Sequence, residues 1–239
     1  MTNQIKHSKM KYQHIFFDLD RTLWDFDKNS EKTLEQLYRD FSLQSSFGNF
    51  LFFKNRYEYH NKKLWLAYYQ NRIEKEELSY RRFYLTLKEA GQDDIELAKE
   101  IAQDFIDISP LQTETFPHTH KCLEYLKDKN YQLHIITNGF NEVQGRKLQN
   151  SKLESFFTHV ITSEDAGANK PHAQIFDFAF NLTGAQINDS IMIGDDLNTD
   201  IKGARDMGMD HIYFNPKKAS HKENLTFEIE NLKELMAIF

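Results

Sequence analysis

Two acidic runs dominate the chemistry that this chain can do. Asp18 and Asp20 stand in the run Asp18-Leu19-Asp20-Arg21-Thr22, directly behind the apolar stretch Ile15-Phe16-Phe17. Side chains two apart on an extended segment point to the same side. Both carboxylates then face one cleft at the carboxyl end of a strand, where open α/β sheets place their ligands. Their mutual repulsion is costly unless a cation is bound. In such a pair one carboxylate can attack phosphorus while the other moves a proton to the leaving oxygen. The bland alternative is a helix N-cap or an exposed turn, because Asp is common in both. The second run, Gly194-Asp195-Asp196-Leu197-Asn198-Thr199-Asp200, follows the strand-like segment Ser190–Ile193. Hard oxygen ligands at a strand end suit Mg²⁺, which takes one or two carboxylates and keeps several waters. By itself this run is equally a strand–turn–helix connection capped by Asn198 or Thr199.

Two weaker signals complete the set. Thr137-Asn138-Gly139 follows Leu133–Ile136 and offers a hydroxyl, an amide and a flexible glycine, a small oxyanion site. Lys170-Pro171 opens the helix expected after His159–Thr162, where a lysine can neutralise a phosphate or the carboxylate pair. A lone Lys-Pro carries almost no information. The four clusters together carry much more, since each follows its own expected strand and parallel strands bring their carboxyl ends to one edge.

The elements that must hold these residues are legible as short β-branched or aromatic runs: His14–Phe17, Leu133–Ile136, His159–Thr162, Ile191–Ile193 and His211–Phe214. Helical stretches alternate with them at Thr119–Lys129, Glu142–Leu148, Pro171–Leu182 and Thr199–Met207, with Pro171 in a first turn and Gly184 and Gly208 at helix exits. Strand alternating with helix predicts an α/β fold, a Rossmann-like parallel sheet with helices on both faces. The alternation breaks between Phe26 and Ile108, where only helical periodicity is found: Ser30–Tyr38, Phe50–Tyr69, Lys75–Ala90 and Asp94–Asp107. The expected organisation is a core of residues 1–23 and 111–239 with an inserted helical domain of 24–110. Aromatics crowd Phe50 to Tyr69 (Phe52, Phe53, Tyr57, Tyr59, Trp65 and Tyr68 among them), read as core packing with one or two free to stack on a ring-bearing substrate.

In order and spacing, Asp18-Leu19-Asp20-Arg21-Thr22, Thr137-Asn138, Lys170 and Gly194-Asp195-Asp196 resemble the four motifs of the haloacid dehalogenase superfamily. The helical insertion resembles that superfamily's first class of cap, and Phe17 to Phe26 resembles its branch of pyrimidine 5'-nucleotidases. The resemblance implies roles. Asp18 would be the nucleophile and a Mg²⁺ ligand. Asp20 would be general acid and then base, its backbone carbonyl also on the metal, and Asp195 the other direct ligand. Asp196 and Asp200 would hold metal-bound waters or orient Lys170. Thr137 and Lys170 would bind phosphoryl oxygens, with Asn138 beside them. A cap that opens and closes over the site is also implied. Arg21 departs from the glycine or histidine of many relatives.

The implied activity is Mg²⁺-dependent hydrolysis of a small phosphorylated metabolite, a pyrimidine nucleoside 5'-monophosphate for example, through an aspartyl-phosphate. Alternatives are a sugar-phosphate phosphatase or a phosphomutase of the same superfamily. A 2-haloacid dehalogenase is disfavoured by Asp20, and a non-catalytic binding module by the filling of every motif position. The formal charge of -6, from 30 basic and 36 acidic residues without a basic run, argues against a nucleic-acid polymer. No run approaches a membrane span, and the start MTNQIKHSKMKYQ has no apolar leader core, so a cytoplasmic location is the expectation. The single Cys122, beside Leu123 and Leu126, reads as a buried thiol, and His118 and His120 as cap or surface residues. Monomer and homodimer both stay open.

Overall fold

A computed structural model describes residues 11–239. Residues 1–10, placed in the core by the sequence reading, lie outside the described residues. Six strands form one parallel sheet: β1 (His14–Phe17), β2 (Gln132–Thr137), β3 (His159–Thr162), β4 (Ser190–Gly194), β5 (Asp210–Phe214) and β6 (Phe227–Ile229). Their order is β3-β2-β1-β4-β5-β6. The chain therefore leaves β1 to one side for β2 and to the other for β4, which makes the carboxyl end of β1 the switch point where such sheets bind ligands. Register aligns the three central strands closely, Phe17 pairing with Ile135 on one side and Ile193 on the other. Ile15, Phe16, Phe17, Ile191, Met192 and Ile193 are wholly buried, as two-sided burial of a parallel sheet demands.

The helices are α1 (Phe26–Asp40), α2 (Gln44–Phe47), α3 (Phe50–Tyr69), α4 (Lys75–Glu89), α5 (Ile95–Ile108), α6 (Thr119–Asp128), α7 (Asn141–Asn150), α8 (Ser163–Ala166), α9 (Ala173–Thr183), α10 (Lys202–Asp206) and α11 (Leu235–Ile238). They fall into two compact units. The sheet unit contains the chain up to Asp25, Thr115–Asn141 and Lys152–Phe239; the helical unit contains Phe26–Glu114 and Glu142–Ser151. The division differs from the sequence expectation at Glu142–Ser151 and residues 111–114, assigned there to the core, and at Trp24 and Asp25, assigned there to the helical insertion. Polar contacts explain the grouping of Glu142–Ser151: Arg146 Nη2 donates to the Asp107 carbonyl at 2.8 Å, Asn150 Nδ2 to the Pro110 carbonyl at 2.8 Å, and Lys75 pairs with Glu142 at 2.9 Å.

Within the helical unit, Asn49 and Asp94 cap α3 and α5 by accepting the Phe52 and Leu97 N–H groups, each at 2.9 Å. Its core packs Leu34, Leu37, Phe53, Tyr57, Phe83, Ile101 and Phe105. Of the α3 aromatics, Phe53 and Tyr57 are thus core, Phe52 and Tyr59 are exposed, and Trp65 contacts both Tyr68 and Tyr69. In the sheet unit Cys122 is buried, which pushes its thiol up to about 12. Several expected boundaries shift, α1 beginning at Phe26 rather than Ser30 among them. Pro171 precedes α9 rather than sitting in its first turn, with His172 as the N-cap residue. The helix expected from Thr199 begins as a π-type turn over Leu197–Ile201 before α10. No helix among the described residues is long and apolar enough to cross a membrane.

Candidate active site

The Asp18-to-Trp24 segment is a turn closed on the Leu19 carbonyl, which accepts the N–H groups of Leu23 at 3.0 Å and Trp24 at 2.9 Å. Trp24 and Thr22, both fully buried, anchor it. Arg21 stands at its tip with φ 66, in the left-handed region that costs an ordinary side chain about 1 kcal/mol. That backbone angle is why glycine suits this position so readily. Asp18 is 7% exposed, and its N–H extends the β1–β4 ladder by donating to the Ile193 carbonyl at 2.9 Å. Asp20 is half-buried and bridges to Trp24 through the backbone.

Lys170 arrives from a more distant stretch than strand order suggested. The short helix α8, capped by Thr162 and Asp165, follows β3 directly, and Lys170 comes only after it. What brings the lysine to the site is Asn138. Its Oδ1 accepts the Lys170 N–H at 2.7 Å and its Nδ2 donates to the Lys170 carbonyl at 3.1 Å. Asn138, placed among the phosphate-binding residues by the sequence, is thus engaged with the Lys170 backbone on both sides of its amide. Thr137 ends β2, and its Oγ1 accepts the Gly139 N–H at 3.1 Å.

Lys170 is 1% exposed, and its ammonium is bound three ways: to Asp18 Oδ1 at 2.7 Å, Asp200 Oδ1 at 2.7 Å and the Ile136 carbonyl at 2.6 Å. The Asp18 and Ile136 contacts are hydrogen bonds, whereas Asp200 Oδ1 meets the ammonium as an ion pair and is left without a hydrogen-bond partner of its own. Asp200 also accepts the Asp196 N–H at 3.1 Å through its other oxygen, while Asp196 caps the following turn by accepting from Asn198 at 2.7 Å and Thr199 at 3.2 Å. Asp195 Oδ1 accepts the Thr22 hydroxyl at 3.2 Å. Asp18, Asp195 and Asp200 each offer an oxygen within 4.8 Å of the others.

Electrostatically the cluster is crowded with acid: three carboxylates lie together, and Lys170 pairs with two of them, Asp18 and Asp200. Burial pushes Asp18 up to about 7 although Lys170 pulls the other way. Burial, then Asp18 and Asp200, raise Asp195 well above the usual carboxylate range, and the positive charge of Arg21 opposes that rise. Asp200 is likewise raised by burial against the pull of Lys170, whereas the two carboxylates hold Lys170 above its usual value despite burial. A divalent cation among the carboxylates would remove the excess charge, and the all-oxygen donor set fits a hard ion such as Mg²⁺. The structure therefore brings Asp18, Lys170, Asp195 and Asp200 together, with Thr137 and Asn138 behind them, Asp20 two residues from Asp18 and Asp196 beside Asp200. Sequence reading included Thr22 in the first motif without giving it a task, its hydroxyl meeting Asp195, and it missed the Ile136 carbonyl, which no residue type announces.

Comparison with known proteins places this geometry. Pyrimidine 5'-nucleotidase PynA of Streptococcus pneumoniae is 30% identical over 233 residues, which span 95% of this chain and 94% of PynA. Pyrimidine 5'-nucleotidase YjjG of Escherichia coli is 29% identical over 95% of this chain and 97% of its own. The crystal structure of the HAD-hydrolase YfnB of Bacillus subtilis, bound to magnesium, superposes with a TM-score of 0.86 at 28% identity over 95% of this chain and 98% of YfnB. The model of the haloacid dehalogenase-like hydrolases matches residues 15–214. That match runs from β1 to the last residue of β5, and the chain belongs to the haloacid dehalogenase-like hydrolases.

Proposed function

We propose that the protein is a Mg²⁺-dependent phosphatase that cleaves small phosphomonoesters through an aspartyl-phosphate on Asp18. The observation that carries this reading is the buried Lys170 ammonium, ion-paired at 2.7 Å with both Asp18 and Asp200 beside a third carboxylate, Asp195. Asp18, Asp195 and the Asp20 carbonyl would hold the ion, with Asp196 and Asp200 supporting them. Bound there, Mg²⁺ supplies Lewis-acid neutralisation of the phosphoryl oxygens.

An Asp18 oxygen attacks phosphorus in line as the ester P–O bond breaks, and Asp20 in its acid form protonates the leaving oxygen. Asp20 then takes a proton from water, the hydroxide oxygen bonds phosphorus, and Asp18 is released as a carboxylate. Lys170 offsets charge on the transferring group, with Thr137 next to it. Asn138 serves by fixing the Lys170 backbone. The names of PynA and YjjG point to pyrimidine nucleoside 5'-monophosphates as the substrate class.

The test is phosphate release from a panel of pyrimidine and purine monophosphates, sugar phosphates and an aryl phosphate, with Mg²⁺ and with EDTA. Metal-dependent release strongest for the pyrimidine monophosphates is the expected result. Preference for sugar phosphates would keep the mechanism and discard the substrate class. Release unaffected by EDTA, or none at all, would sink the reading.

A further inference from the structure

Gly203 lies outside every motif considered so far. A Cβ built on it would stand 2.4 Å from Cε2 and 2.6 Å from Cζ of Phe176, and 3.2 Å from Cα of Pro171. Non-bonded carbons settle at about 3.5–4.0 Å, so these contacts lie deep in the repulsive wall. Neither neighbour yields easily. Phe176 is fully buried and packs in one cluster with Ile175, Ala179, Met192 and Ala204, and the Pro171 atom is backbone. Gly203 has no positive φ; glycine is demanded there by space, not by the backbone angle.

The position of this contact matters more than its closeness. Pro171 is the residue after Lys170, and Gly203 lies three residues beyond Asp200. The two segments that carry the Lys170–Asp200 ion pair therefore come into close contact at Gly203, a few residues from the pair. Gly194 does the same work from the strand side: a Cβ on it would sit 2.2 Å from Asp200 Oδ2 and 2.5 Å from its Cβ.

We infer that Gly203 is a positioning residue for the buried ion pair. Its missing side chain lets Phe176 and Pro171 close on α10, and that approach holds Lys170 Nζ at 2.7 Å from both Asp18 and Asp200. A methyl group there meets the Phe176 ring and the Pro171 backbone and displaces the segments that carry the pair, and misplacement on the scale of about 1 Å costs catalytic geometry about two orders of magnitude. The activity readout rests on the phosphatase reading; the geometric claim does not.

The test compares full-length wild type with Gly203→Ala, Gly203→Ala/Phe176→Leu and, as a core control, Ile161→Val. For each, kcat and KM for an aryl phosphate with Mg²⁺ are measured where the protein is fully folded, and a crystal structure gives the Lys170–Asp200 distance. Gly203→Ala is expected to lose about tenfold or more in kcat with a smaller change in KM, and to lengthen the pair beyond hydrogen-bond reach. Leucine lacks the two ring atoms in conflict but leaves the Pro171 contact, so the double variant should recover only part of the loss, staying about threefold to fivefold below wild type with the pair still lengthened. Ile161→Val should lower Tm and leave kcat unchanged. Wild-type kcat with an unaltered pair in Gly203→Ala overturns the inference. Should that variant not fold, the double variant decides: a reduced kcat with a lengthened pair supports it, and wild-type values for both overturn it. If wild type cleaves no ester, the functional reading falls while the distances still judge Gly203.

Discussion

The two ends of the sheet answer the same physical problem in opposite ways. In its amino-terminal half, His134 of β2 contacts His14 of β1 at 3.1 Å and His159 of β3 at 3.4 Å, the rings spaced 5.4 Å apart on either side. Burial, with smaller contributions from His14 and His159, pushes His134 down to about 3. At the carboxyl end, burial pushes Asp18 up to about 7. In both places low dielectric penalises the charged form. His134 solves this by being neutral, since a neutral imidazole donates through one nitrogen and accepts through the other. The carboxylates keep Lys170 charged among them and remain in excess of it. A row of titratable groups is structural where its neutral form satisfies every contact, and marks a site where charge remains that only a further ligand can balance.

That contrast can be broken most sharply at Asp18. Asp18→Asn should leave the fold intact and cut turnover by about three orders of magnitude or more, as removal of a nucleophile does. Phosphate-release kinetics that stay near wild type would reduce the carboxyl end to a structural cluster like the histidines. Next in size, Lys170→Met strands Asp18 and Asp200 as buried carboxylates without their ammonium, a loss of about 3–5 kcal/mol in urea unfolding with EDTA present. Adding Mg²⁺ should recover part of this; an equal loss with and without the ion would remove the cation from the account.

The smallest effect concerns the histidines. Folded His134 refuses a proton that the unfolded chain binds between about pH 6.5 and 3, so its contribution to stability falls as pH drops through that window. His14, lowered chiefly by burial, acts in the same direction. His134→Phe, stacking on Phe16, should therefore lose roughly 3 kcal/mol less than wild type between pH 7 and pH 4. Parallel pH dependences would mean that the row is not the acid-sensitive part of the sheet.

The core was legible in the sequence for a simple reason. Strands buried on both faces, such as β1 and β4, are continuous apolar runs, and acidic residues right behind them are conspicuous. The strand β6 went unseen because it has only three residues and two of them are exposed. On α3, apolar residues occur all round the helix, so spacing could not separate Phe53 and Tyr57, in the core, from the exposed Phe52 and Tyr59. Asn138 was legible as a site residue but not in its task, because its partner is the Lys170 backbone, 32 residues further on. Gly194 was legible as part of a motif but not in its task, and Gly203 was opaque, for the same cause. Each is required by an atom that becomes a neighbour only after folding.

The central place of β1 also has a consequence for how the chain is made. His14 pairs with Gln132 and Ser190, so its strand waits 118 residues for one neighbour and 176 for the other. At ribosomal rates of about 5–20 residues per second, that is an interval on the order of ten seconds. During it the apolar strand that leads into Asp18 has neither flank paired, while the whole helical insertion is synthesised behind it. Asp18 therefore emerges well before the strands that flank β1, and the apolar strand leading into it stays exposed on the nascent chain in the meantime.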